Sequence, residues 1–156
     1  MKNSFIIEEY YKGKKSTFYS IRFYSESKSE ADKFFQKFIS SEKDKIENLV
    51  SKIEGIAEKS GCQEHNFKEE SSIYNNICAL WEGDLRLFCL RYGNVAVILS
   101  GGGIKDKLTY QEVPELNTIV NQLEEIFPLI DERIKNEDII ITDNEIKGNL
   151  IFKFEN

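Results

Sequence analysis

A chain of 156 residues with 40% hydrophobic and 31% charged residues has the length and composition of one globular domain, predicted over residues 1–156. Its formal net charge of −6 argues against a general nucleic-acid binder, because such affinity depends on cations that neutralise phosphates. No apolar run approaches the roughly 20 residues of a membrane span, and acids follow the short N-terminal apolar run too closely for a signal peptide. We therefore expect a cytoplasmic protein that has no membrane partner.

The charges are unevenly distributed along the chain. Residues 1–110 carry 17 Lys/Arg and 16 Asp/Glu, a net charge of +1, whereas residues 111–156 carry 4 and 11, a net charge of −7. The two parts sum to −6. A local basic site on an acidic protein is compatible with this pattern, and so is a protein without any nucleic-acid partner.

Two hairpins are predicted in the first part of the chain. Residues 1–25 contain two segments rich in Phe, Tyr and Ile on either side of a basic turn, which indicates an antiparallel β-hairpin. Residues 28–61 contain two amphipathic patterns with the spacing of helices, which predicts a helical hairpin. Ser29 is the expected N-cap of its first helix, and Gly61 is expected to end the second.

Residues 73–123 are predicted to form a three-stranded meander followed by a helix, and residues 67–72 are predicted to be the linker into it. The turns fall at Gly83 and Gly93, and residues 95–99 are apolar on both faces, as in a central strand. In the middle strand Arg86 shares a face with Phe88. A permanent cation among apolar residues needs an anionic ligand or an acidic partner, and Asp84 or Glu82 across the turn is the nearest candidate in the sequence.

The remaining elements are a helix and a terminal hairpin. Pro114 suits the first turn of the helix, and Pro128 is expected to stop or kink it. Residues 136–156 are predicted to form an acidic C-terminal hairpin that extends or covers a sheet edge, with arms at residues 138–142 and 149–154. The fold class is therefore α+β, with a mostly antiparallel sheet packed against the helical hairpin and the C-terminal helix. The residues predicted to be largely buried are Phe35, Ile53, Leu87, Cys89, Val95, Val97 and Leu99, with Trp81 at least partly buried.

The cysteines and the single histidine do not suggest a metal centre. Cys62, Cys78 and Cys89 are odd in number and lack framework spacing, so we expect reduced thiols with no pair within bridging distance and with Cys89 in the core. His65 has no second Cys/His pair at zinc spacing. Residues 101–103 are all glycine but lack the ending of a P-loop; they fit a tight turn or the close approach of a ligand. No metal and no cofactor is predicted.

The meander and the residues after it resemble the RelE/ParE-type bacterial toxins, and more closely the HigB or phage Gp49-like branch. The matching features are Leu-Arg-Leu-Phe at residues 85–88, an apolar strand closing on Ser-Gly at 100–101, and a basic segment at 104–107 followed by Thr-Tyr at 109–110. The resemblance extends from the helix that ends near Gly61 to about Leu123, roughly half of the chain.

This resemblance implies a metal-independent endoribonuclease that cleaves messenger RNA on the ribosome and is neutralised by an antitoxin protein, without direct contact to DNA. The ribose 2′-hydroxyl attacks the adjacent phosphate in such enzymes, and the protein stabilises the developing charge. By resemblance, Arg86 would contact the scissile phosphate, Lys105 would supply a second cation, and Tyr110 would act on the base or in proton transfer. Arg91 and Lys107 are the candidates for binding the RNA backbone.

Some features depart from the toxin pattern and keep a second hypothesis open. Lys105 is a point charge where several relatives have the planar fork of arginine, the first strand of the meander has no lysine pair, and the protein is acidic. The alternative is a non-catalytic α+β interaction domain, phage- or mobile-element-derived, that binds protein through its sheet face and acidic C-terminus. Whether the protein is an enzyme therefore stays open at this point.

Overall fold

A seven-stranded sheet separates two hydrophobic clusters in the computed structural model, which describes residues 3–70 and 73–155. The strands of the described residues are β1 (Phe5–Lys12), β2 (Thr17–Phe23), β3 (Lys68–Glu69), β4 (Ile77–Glu82), β5 (Leu85–Tyr92), β6 (Ala96–Ile104), β7 (Ile139–Ile141), β8 (Ile146–Gly148) and β9 (Ile151–Phe152). The helices are α1 (Glu30–Phe38), α2 (Lys43–Gly55), which continues into a π-helical turn (Ile56–Ser60), and α3 (Pro114–Lys135).

The strand order of the large sheet is β3-β4-β5-β6-β2-β1-β9. Every neighbouring pair is antiparallel except β2 and β6, which run parallel. The predicted α+β class, the N-terminal hairpin and the meander are confirmed. The parallel pairing was not predicted from the sequence. It joins the hairpin to the meander and makes the sheet mixed.

Helices cover both faces of this sheet. α1 and α2 pack on the face that carries Leu87 and Val97, whereas α3 packs on the face that carries Phe88 and Ile98. This alternation follows from the two-residue period of strand side chains. None of the helices in residues 3–70 and 73–155 is long and apolar enough to cross a membrane.

Most of the predicted core is confirmed. Full burial is found at five positions, Ile53, Leu87, Cys89, Val97 and Leu99. Phe35 and Val95 are only partly buried, as is Trp81, for which partial burial was the prediction. Phe35 lies at the margin of the buried stripe of α1 and stacks on Tyr10, with 6.1 Å between ring centroids.

The local signals at helix ends are confirmed, with one exception. The Ser29 side chain accepts a hydrogen bond from the Asp32 amide at 3.2 Å, and Gly61, with φ +73°, ends the second helix. Pro128 does not stop α3, which continues to its end at Lys135. A proline removes one backbone donor, and burial of the apolar face on both sides of Pro128 offsets that loss.

The first predicted arm of the C-terminal hairpin is confirmed as β7, but its predicted pairing with residues 149–154 is wrong. β7 pairs with β8 in a small separate sheet, and β9 instead pairs with β1 at the edge of the large sheet. The chain turns away at Gly148, which has φ +127° and approaches Asp138 so closely that any side chain would overlap its carbonyl. The segment nevertheless covers a sheet edge as predicted, which protects that edge from other chains.

Arg133 of α3 fastens β9 to the sheet. Its Nη1 donates to the carbonyls of Asn149 and Ile151 at 2.8 and 2.6 Å, and its guanidinium lies 3.6 Å from the centroid of the Phe152 ring. Phe152 in turn stacks on Phe5 of β1 at 4.6 Å. One side chain therefore combines two hydrogen bonds with a cation–π contact.

Substitution Val97→Asp should abolish folding, because Val97 is fully buried and an unpaired buried charge costs as much as the about 5–15 kcal/mol that stabilise a whole domain. Val50→Asp is the matched control, since Val50 of α2 is 37% exposed. Circular dichroism during thermal unfolding checks both variants. A cooperative transition in Val97→Asp at the wild-type temperature would show that Val97 does not face the core.

Substitution Arg133→Ala should free β9 from β1 and lower the free energy of unfolding by about 1–3 kcal/mol. The sensitive probe is the amide of Ile7, which donates to the Leu150 carbonyl at 2.9 Å. Its hydrogen exchange should accelerate in Arg133→Ala but not in Lys135→Ala, since Lys135 is an exposed residue of the same helix. Equal exchange rates in both variants would mean that the contacts of Arg133 do not hold β9 on β1.

Candidate functional site

Arg86 is buried at the start of β5, with only 7% of its surface exposed. The tight turn before it has Gly83 at φ +56°. The Arg86 Nη1 donates to the Gly83 carbonyl at 2.7 Å and to the Leu85 carbonyl at 3.3 Å. Part of the guanidinium therefore holds the β4–β5 turn, and the remainder faces the side of the sheet that α3 covers.

Glu70 places one carboxylate between two cations. Its Oε1 lies 3.7 Å from the Arg86 Nε, and its Oε2 lies 3.6 Å from the Lys105 Nζ. Both distances exceed hydrogen-bond length. Among the described residues, neither Glu70 Oε1 nor Arg86 Nε has a hydrogen-bond partner. The Glu70 carboxylate thus attracts both cations, while two buried polar atoms of the site stay unsatisfied, and such atoms destabilise the folded state.

A phosphate-binding Arg86 is expected to have no internal carboxylate partner, yet Arg86 pairs with an acid, Glu70, and not with Glu82 or Asp84, the candidates that the sequence suggested. Glu82 and Asp84 instead bind lysines of α2, on the opposite side of the sheet: Glu82 pairs with Lys52 at 3.0 Å and Asp84 with Lys45 at 2.7 Å. The hydrogen bond from Lys45 holds the pKa of the Asp84 carboxyl below its usual value. Proximity in sequence did not identify the partner, because the turn directs these acids toward α2.

Lys105 reaches the site through the pairing of β5 with β6. Arg86 lies opposite Gly103, and Leu85 lies opposite Ile104, so the residue after β6 emerges beside the β4–β5 turn. The Lys105 amide donates to the Asp84 carbonyl at 2.7 Å. The structure thus brings Arg86 and Lys105 together.

Tyr110 lies on the same face of the sheet as Arg86 but is buried. Its ring packs edge-on against Phe88, with 6.2 Å between centroids. Burial raises the pKa of the Tyr110 phenol, and the carboxylates of Glu124 and Glu70 raise it further. A raised pKa keeps the phenol protonated, so Tyr110 is suited to donate a hydrogen bond rather than to act as a base.

Arg91 and Lys107 do not converge on Arg86. Arg91 projects from the other face of β5, where its Nε donates to the Cys62 carbonyl at 2.6 Å and its Nη2 donates to Asn94 Oδ1 at 3.2 Å. It therefore holds two loops together. Lys107 is exposed in the loop that follows Lys105.

Glu70 is a site residue that was not predicted from the sequence. Residues 67–72 were predicted to be a linker into the meander, and residues 71 and 72 lie outside the described residues. Glu70 directly follows the short edge strand β3, where Lys68 pairs with Ala79. The only signal in the sequence was the requirement of Arg86 for an anion, and that requirement does not identify which of the many acids meets it.

The glycine run forms part of β6 rather than a turn. A side chain at Gly102 would overlap the carbonyl oxygen of Arg86 and approach Cε1 of Phe34 to 2.8 Å. The β5–β6 register also shifts between Leu87 and Cys89, as at a bulge. The sequence predicted a tight turn or the close approach of a ligand; the run instead lies within a strand, and the group that approaches Gly102 is the backbone of β5.

The described residues contain no group of three or more His, Cys, Asp and Glu side chains that could hold a metal ion. All three cysteines are free and buried. The prediction that no pair lies within bridging distance is wrong, however. Cys78 and Cys89 lie directly opposite each other on β4 and β5, with 3.7 Å between their sulfur atoms.

Comparison of the chain with protein-family models, with curated proteins and with solved structures found no match. The chemistry of the site therefore has to be inferred from its geometry. Arg86 and Lys105 flank the Glu70 carboxylate on the face that also carries Tyr110. Two cations that flank one carboxylate can also bind a phosphate group, which presents oxygens of similar charge.

Substitution Gly102→Ala should lower the free energy of unfolding by about 1–3 kcal/mol, because the added methyl group forces β5 and β6 apart beside Arg86. Gly101→Ala is the control, since the atom nearest to its methyl group would be Ile119 Cδ1 at an ordinary 3.4 Å. Urea unfolding measures both values. Equal stability of the two variants would contradict the close approach of the strands at Gly102.

Proposed function

We propose that this protein is a RelE-like, metal-independent endoribonuclease toxin that acts on messenger RNA in the cytoplasm, with Arg86 and Lys105 as its phosphate-binding cations. The observation that carries the proposal is the position of Glu70, whose two carboxylate oxygens face these two cations at 3.7 and 3.6 Å. An RNA phosphate presents two non-bridging oxygens in the same way. Glu70 would therefore occupy the phosphate position in the free protein.

The chemistry of RNA cleavage fits such a site. When the 2′-hydroxyl attacks the adjacent phosphate, negative charge grows on the phosphorane oxygens, and fixed cations stabilise that charge more strongly in a buried site than in water. Arg86 would contribute the fixed cation, because its guanidinium is anchored at Gly83 and Leu85. Tyr110, kept protonated by its raised pKa, would contribute a hydrogen-bond donor.

Displacement of Glu70 by RNA requires the Glu70 side chain to leave a buried position, since Glu70 is only 8% exposed and Arg86 only 7%. β3 comprises only Lys68–Glu69 and pairs with β4 alone at the edge of the sheet. Glu70 makes no hydrogen bond through Oε1 within the described residues, so a phosphate that bonds to the Arg86 Nε would satisfy a donor that Glu70 leaves unsatisfied. The toxin proposal also implies an antitoxin protein that keeps the site from RNA.

A second candidate function is a non-catalytic protein-interaction domain. The burial of Arg86 and its bonds to the turn are typical of a structural cation. The acidic C-terminal segment also exposes apolar side chains, with Ile140 at 55%, Ile151 at 43% and Ile141 at 41% exposure. Exposed apolar residues that are surrounded by charge are common in protein interfaces.

Cleavage of messenger RNA on translating ribosomes distinguishes the two functions. Lys105→Ala should cut the cleavage rate about 100-fold, the usual effect of removing one group that stabilises the transition state, whereas Lys43→Ala, at an exposed lysine of α2, should change the rate by less than about threefold. Glu70→Ala should raise the rate by opening the site, and Glu69→Ala, the exposed neighbour on β3, should leave it unchanged.

Circular dichroism must first show that each variant is folded. Growth arrest on induced expression of the wild type should accompany cleavage. If the folded wild type and Glu70→Ala both leave messenger RNA intact and cells growing, the endoribonuclease proposal is wrong and the interaction domain is the better account.

A further inference from the structure

Two thiols on neighbouring strands are positioned to form a disulfide. Cys78 of β4 and Cys89 of β5 are direct partners in the antiparallel ladder, and their sulfur atoms are 3.7 Å apart. Antiparallel partners have Cα atoms about 4.5–5.5 Å apart, within the about 4.4–6.8 Å that a disulfide spans. Side-chain rotation alone can therefore close the gap to the about 2.0 Å of the covalent bond.

The two thiols differ in their access to small oxidants. Cys78 lines a surface cleft of about 190 Å³ together with Phe67, Asn75 and Arg91. Cys89 is fully buried, and burial raises the pKa of its thiol well above the usual value. A molecule of the size of hydrogen peroxide fits this cleft, so it would reach Cys78 first. Cys89 would then face the oxidised sulfur from within the core.

We infer that Cys78 and Cys89 form a reversible disulfide when the protein meets hydrogen peroxide, a modification that is independent of the proposed RNA cleavage. In the first step the Cys78 sulfur attacks one peroxide oxygen, the O–O bond breaks, and Cys78 becomes a sulfenic acid while one water leaves. In the second step the Cys89 sulfur attacks the Cys78 sulfur. The S–O bond breaks, and hydroxide leaves with the Cys89 proton as a second water.

The two reaction steps balance, since the two thiols together lose two electrons and the peroxide gains them. A dithiol reductant restores both thiols by exchange. The bond would link β4 to β5, the hairpin whose turn at Gly83 anchors Arg86. Because the link restricts the unfolded chain while joining strands that are already paired, the oxidised protein should melt at a higher temperature.

Cys62 provides the internal control. It is the third buried thiol, and burial raises its pKa to about 11. Cys62 lies outside the β4–β5 ladder, so it has no cross-strand partner comparable to the pair at Cys78 and Cys89. Of the three pairings that three cysteines allow, only Cys78–Cys89 is therefore expected.

The test exposes the folded wild-type protein to hydrogen peroxide and counts free thiols after unfolding. The three thiols should fall to one, the mass should drop by two hydrogen atoms, and peptide mapping should find residues 78 and 89 linked. Dithiothreitol should reverse all three changes. Cys62→Ala should form the same bond, and Cys89→Ala should leave a sulfenic acid at Cys78 that dimedone traps.

Three thiols that persist in the folded wild type, or a bond that includes Cys62, would overturn the inference. So would a sulfonic acid at Cys78 with no disulfide. If a cysteine variant does not fold, the peptide map of the oxidised wild type alone shows which cysteines are linked.

Discussion

The burial of one permanent charge determines the arrangement of this site. Arg86 cannot lose its proton, and β5 places it on a face that α3 and Phe88 make apolar. A buried guanidinium needs hydrogen-bond acceptors and a negative charge nearby. The Gly83 carbonyl in the turn supplies an acceptor, and Glu70 supplies the negative charge. A pair nearly 4 Å apart attracts by about 4 kcal/mol at an effective dielectric constant of 20, but desolvation of both groups cancels much of that gain.

The two faces of β5 carry different chemistry. On the α3 face, Arg86, Lys105 and Glu70 form a charged cluster beside Tyr110. On the face covered by α1 and α2, Cys62, Cys78 and Cys89 place three thiols in an apolar core. The same strand alternation places the proposed anion site and the two neighbouring thiols on opposite faces of one sheet.

Local features of the fold could be predicted from the sequence because they depend on neighbouring residues. Ser29 caps a helix through its own side chain, and Gly83 supplies a positive φ where a two-residue turn requires it. The parallel β2–β6 pairing and the docking of β9 on β1 could not be predicted, because hydrophobic alternation does not identify a partner strand. Glu70 was missed for a related reason: charge pairing over a long separation leaves no periodic pattern.

The most direct test of the anion site is a phosphate titration of Glu70→Ala observed by ¹⁵N NMR of the arginine Nε groups. If Arg86 and Lys105 form such a site, inorganic phosphate should shift the Arg86 Nε signal, and the wild type should need more phosphate for the same shift. The Arg91 Nε, which donates to the Cys62 carbonyl, should stay unchanged in both proteins and serves as the internal reference. An Arg86 Nε signal that phosphate leaves unmoved in folded Glu70→Ala would contradict the anion site, and Arg86 would then be a structural cation only.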